Sequence, residues 1–147
     1  MSIVSCQSIK RHLHGSADAE VSLTYNNRLL RRKVLTTGAG ERFLVDLRHT
    51  TSLDHGDAFE LGDGRIVRVS AAPEELIEVR GNLVRLAWHI GNRHMPCQIE
   101  PDRLLIQRDH VIHDMLLKLG AEVRETSEPF TPEGGAYGHG RTRGHAH

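Results

Sequence analysis

Phe43, Val45 and Leu47 alternate with Leu44, Asp46 and Arg48, a period of two that predicts a strand with one buried face. A second alternating run, RIVRVS from Arg65, follows Gly62, Asp63 and Gly64. These turn residues tolerate the positive φ of tight turns, so DAFELGDGRIVRVS from Asp57 is expected to fold as a β-hairpin. Upstream, YNNRLLRRKVLTTGAG carries an Asn-Asn turn, a short strand and a Gly-rich turn, with no helical period. The expectation is a small all-β domain of five or six strands over residues 1–72. AAPEE, from Ala71, gathers small residues, a proline and two acids where that domain should end.

Beyond it the period changes. LIEV from Leu76 predicts a strand, and Leu83, Leu86, Ala87 and Ile90 fall at i, i+3, i+4 and i+7, one face of a helix that Gly91 is expected to stop. CQIE from Cys97 and RLLIQ from Arg103 predict two short strands joined at Pro101 and Asp102. A second helix is expected to start at Asp109 as its cap, turn Val111, Ile112, Met115, Leu116 and Leu119 inward, and end at Gly120. AEVRET then supplies a last strand. The fold class is therefore α+β, with a βαββαβ, ferredoxin-like domain over residues 73–138 behind the all-β domain. From Ser127 onward, SEPFTPEGGAYGHGRTRGHAH has no period and reads as an arm, ending in a flexible His-containing tail at 139–147.

Composition removes several function classes. Lys plus Arg equals Asp plus Glu at 19 each, so bulk charge gives no sign of a nucleic-acid partner. Two cysteines, Cys6 and Cys97, are too few for a disulfide framework or a thiolate zinc cage. No apolar run approaches a membrane span and the start has no signal-peptide core, so a soluble cytoplasmic protein without membrane attachment is expected. What the chain holds in excess is histidine, eleven residues in 147. Neutral imidazole ligates nickel, copper and zinc, and protons compete for it in mildly acidic solution. The candidates are His89 and His94 around the first helix end, His110 and His113 on the second helix, and His139, His145 and His147 in the tail. No H-x-x-x-H helix or C-x-x-C pair closes a structural site, so the ligands are sparse and open. Cys97, three residues after His94, reads as a small packing residue.

WHIGNRHMPCQIE from Trp88, DHVIHDMLLKLGAEV from Asp109 and PFTPEGGAYGHG from Pro129, followed by the His-bearing tail, resemble the urease accessory protein UreE family of nickel metallochaperones. The likeness runs from Gly81 to His147 and is weaker over the first 70 residues, where it rests on the all-β reading and the RRK cluster at Arg31. It implies a non-enzymatic homodimer with a partner-binding N-terminal domain and a C-terminal domain that dimerises. His94, in GNRH, would supply a Ni2+ ligand from each subunit at the two-fold axis, and His139, His145 or His147 would complete the shell. The cargo would pass to the accessory GTPase and the urease apoprotein complex. A two-fold axis makes one exposed histidine per chain into a ligand pair without a dense motif. Where some family members place two histidines around an aspartate as a peripheral site, this chain has Arg108, Asp109 and His110. A permanent cation in the first place disfavours metal there. Zinc and copper should also bind, since affinity for nitrogen ligands does not fall from nickel to copper.

Two other classes fit the same residues. A protein-binding adaptor would use the β-domain edge and the RRK cluster, with incidental histidines. A metal-dependent hydrolase would need a base beside an open metal, for which Glu100 and Asp102 are only generic candidates.

Overall fold

A computed structural model describes residues 3–134. The chain divides into two compact units, one up to Ala72 and the other from Pro73. It mixes α and β structure, with two sheets and two helices.

The first unit holds β1 (Val4–Lys10), β2 (Ala19–Leu23), β3 (Leu29–Thr36), β4 (Arg42–Ser52), β5 (Ala58–Leu61) and β6 (Ile66–Ala71). They form one sheet in the order β2-β6-β5-β1-β4-β3, with β1 parallel to β4 and β2 parallel to β6. The alternation in β4 buries Phe43, Val45 and Leu47, and the expected hairpin is the antiparallel pair of β5 and β6. Cys6, Phe59, Val67 and Val69 complete the middle of this core. β1 and β2 precede every strand that alternation predicts. In β1 a register shift between Cys6 and Ser8 breaks the period of two, which hides the strand from a pattern search.

In the second unit, β7 (Pro73–Arg80), α1 (Leu83–Asn92), β8 (Gln98–Ile99), β9 (Leu104–Gln107), α2 (His110–Lys118) and β10 (Glu122–Pro129) follow in β-α-β-β-α-β order. The sheet is antiparallel throughout, in the order β10-β7-β9-β8. Ile77 and Val79, with Leu104 and Ile106, pack against Leu86 and Ile90 of α1 and Ile112 and Leu116 of α2. Asp109 caps α2, its carboxylate accepting from the N–H groups of Val111 (2.9 Å) and Ile112 (3.1 Å).

Three expectations are corrected. Gly91 does not stop α1; the helix continues through Asn92 with Arg93 as its C-cap. Val111 is 56% exposed, because it lies about 100° around α2 from the stripe that Ile112 and Leu116 bury. The arm does not begin at Ser127, since β10 reaches Pro129 and pairs with Pro73, while Phe130 is fully buried. AEVRET is the expected last strand, and its continuation through Ser127, Glu128 and Pro129 is polar and carries no hydrophobic signal. The tail at 139–147, with His139, His145 and His147, lies outside the described residues. Among those described, no helix is long and apolar enough to cross a membrane.

A charged cluster crosses the second sheet. Glu78, buried in β7, takes Arg80 (2.9 Å), Arg103 (2.9 Å) and Arg124 (3.2 Å), and Arg103 also reaches Glu100 (3.0 Å) and Glu128 (2.7 Å). Hydrogen bonds from Arg80 and then Arg103 hold the Glu78 carboxyl down at about 2, while Glu128, Glu100 and Glu78 push Arg103 upward.

Candidate metal centre

The end of α1 is built on His94. With Arg93 as cap, His94 takes φ +60°, in the left-handed region that usually selects glycine. Its N–H donates to the carbonyl of Gly91 (2.9 Å), and the Met95 N–H donates to that of Ile90 (3.4 Å). These two bonds are the Schellman pair that closes a helix C-terminus. His94 is exposed there, on a backbone fixed from both sides. The left-handed state costs an ordinary L-residue about 1 kcal/mol. Metal-free His94→Gly should therefore resist urea better than His94→Ala by about 1 kcal/mol; equal midpoints would refute the strained cap.

Val84 (86% exposed) and Trp88 (63% exposed) lie one turn apart on the outer side of α1. His89, half-buried, meets the Trp88 ring edge-on at 5.0 Å between centroids. After His94 the chain runs to Cys97, whose thiol is pushed up to about 11 by burial and by Glu133. It stays protonated at neutral pH, as a packing residue would, and lies against the core of this unit. The Glu133 N–H donates to the Cys97 carbonyl (2.9 Å) and the Thr131 N–H to Gln98 Oε1 (2.8 Å). The segment after β10 is thus tied beside the strand that begins just after His94.

His110 and His113 line an open groove of about 570 Å³ together with Arg108, Asp109 and Glu125. Arg108 pairs with Glu125 (3.2 Å) and Glu75 (3.6 Å). The groove meets the positive end of α2, where the Asp109 carboxylate is already engaged as the cap. Both features oppose a cation beside His110.

One group was not anticipated from the sequence. His12, Asp54 and Asp57 in the first unit bring potential ligand atoms within 4.8 Å of one another. RHLH from Arg11 and DHGD from Asp54 were the available signals. His12, at φ +50°, and His94 are the two non-glycine residues of positive φ among those described. The buried Asp57 carboxylate already accepts from the N–H groups of His12 (3.0 Å) and Asp54 (2.8 Å) and from Arg11 Nη1 (2.8 Å). It works as a staple between loops, and the fixed charge of Arg11 competes with any metal.

Two family models match the chain: "UreE urease accessory protein, N-terminal domain" over residues 3–72 and "UreE urease accessory protein, C-terminal domain" over residues 67–147. Proteins named urease accessory protein UreE are similar along most of its length. That of Ruegeria pomeroyi is 64% identical over 149 residues, covering 100% of both chains. That of Ruegeria sp. (strain TM1040) is 64% identical over 140 residues, 91% of this chain and 80% of its own. That of Paracoccus denitrificans is 60% identical over 134 residues, 91% and 86% respectively.

Proposed function

Because the chain belongs to the UreE family of urease accessory proteins, which assist urease maturation and are not its catalysts, we propose that it carries Ni2+ between two copies of itself. In this reading the second unit is a ferredoxin-like domain that dimerises in the cytoplasm. The ion passes to the accessory GTPase and the urease apoprotein, with no role for nucleic acid or membrane.

The observation that carries the proposal is the exposed, backbone-fixed His94 at the end of a helix whose outer side bears Val84 and Trp88. An apolar helix face on a small domain favours burial against a partner, and a second copy seated on it about a two-fold axis brings the two His94 imidazoles toward one ion. The tether at Glu133 supports a tail ligand. Cys97 is three residues from His94, and His139 is five residues beyond Gly134, a span of up to roughly 17 Å when extended. His139, His145 and His147 can therefore reach the shared ion by chain length alone. His110 remains at most a weak outer site, given Arg108 and the helix end.

Two fixed imidazoles with exchangeable tail ligands form an open shell that can lose its ligands one at a time, as delivery requires and a closed cage prevents. Copper and zinc should bind the same donors. Nickel titration by calorimetry, with sedimentation of the same samples, is expected to give one tight ion per two chains. One tight ion on each isolated chain would overturn the shared site.

A further inference from the structure

The neutral overall charge conceals a local segregation. In the first unit Lys10, Arg11, Arg65 and Arg68 each meet a carboxylate, and Arg28 is buried against the carbonyls of Leu23 and Leu53. Arg31, Arg32, Lys33, Arg42 and Arg48 form no ion pair among the described residues, and all lie on β3 and β4. β3 is the outermost strand of its sheet, and Arg31 through Val34 are exposed in succession. The ladder is irregular at this point. Leu30 pairs with Thr51 but Arg32 pairs with Asp46, so β4 carries extra residues opposite Arg31, whose Nε lies 3.5 Å from the Arg48 carbonyl.

From this we infer that the outer edge of β3 is a docking strand for an acidic, extended segment of a partner protein. An edge strand offers backbone N–H and C=O groups to an added strand, and here the flanking cations form no ion pair among the described residues, Arg32 included although Asp46 is its neighbour across the ladder. Edge charges also deter self-pairing, and a single sign does so well. That role asks only for charge. The concentration of unpaired cations on one strand pair, in a unit whose other surface cations are matched, fits a complementary acidic strand. The inference is independent of the nickel site and stands with or without metal.

The test uses the full chain and a synthetic ten-residue peptide alternating Glu and Thr, with a Lys-Thr peptide and tripolyphosphate as comparison probes. The Glu-Thr peptide is expected to bind at low salt, to weaken as salt rises, and to slow hydrogen exchange of β3 amides. The Lys-Thr peptide is expected not to bind. Combining Arg31→Glu, Arg32→Glu and Lys33→Glu should weaken the Glu-Thr peptide roughly tenfold or more, several surface charge contacts being lost together. Nickel stoichiometry in that variant should be unchanged. Unaltered peptide binding in the variant would overturn the proposal, as would binding that leaves β3 exchange unslowed. Tripolyphosphate binding while the peptide fails to bind would mark a simple anion patch and overturn it equally.

Discussion

Nickel titrated into His94→Ala protein is expected to find no tight site. One substitution removes two ligands, because a shared ion takes the same residue from both copies. Outer-shell partners of metal ligands alone carry about 10–100-fold in affinity, so loss of both fixed imidazoles should cost at least about a hundredfold. The fold should survive, since His94 is exposed and the two backbone hydrogen bonds of the cap do not use its side chain. Calorimetry checks the affinity, and circular dichroism checks that structure is retained. Tight binding that persists in folded His94→Ala protein would remove His94 from the centre. A chain lacking residues 139–147 separates the roles of the ligands: it should still dimerise and bind nickel, but about tenfold more weakly if a tail imidazole completes the shell. An adaptor with incidental histidines would lose nothing.

The second large effect lies away from the metal. Glu78→Gln removes the anion that Arg80, Arg103 and Arg124 share in a buried position of β7. Breaking a buried pair by deleting one partner costs about 3–5 kcal/mol. Arg103 keeps Glu100 and Glu128, which lowers the expected loss to about 2–3 kcal/mol in urea denaturation. The pH dependence has a definite sign. The folded carboxyl sits at about 2, below its ordinary 4.5, so its contribution is complete above 4.5 and is lost as pH falls through about 2. The stability gap between native protein and Glu78→Gln should therefore be full near neutrality and shrink across that acid window. A gap that does not change with pH would assign the loss to packing instead of charge.

Legibility in the sequence followed the hydrophobic signal. Gly62, Asp63 and Gly64 announced the β5–β6 hairpin, and Leu86 and Ile90 announced the buried side of α1, because apolar period and turn chemistry are both local. β1 was hidden by its own bulge, and the end of β10, from Ser127 to Pro129, by its polar composition. Val111 misled because an apolar residue next to a stripe resembles a member of it. At the site, His94 stood out through GNRH and its resemblance, but its left-handed backbone did not. Glycine at residue 91 pointed to a stop three residues too early, and the cap that formed depends on bonds to Gly91 and Ile90 that composition does not reveal. The grouping of His12, Asp54 and Asp57 joins segments far apart in the chain, which no local window detects. The RRK cluster on β3 was visible as a run of cations, but that these residues, with Arg42 and Arg48, form no ion pair among the described residues depends on contacts between distant segments that an even charge balance does not reveal.

The eight-residue pairing of β7 with β10 also bears on how the chain matures on the ribosome. The first unit has all its strands once Ala71 has emerged, whereas β7 must wait for Pro129 before its outer neighbour exists. At ordinary elongation rates that wait lasts some seconds, during which the strand that carries Leu76, Ile77 and Val79 stands with one side open. Nascent protein stalled before β10 should therefore be the form most prone to clumping and most in need of a holdase, while the first unit is already complete.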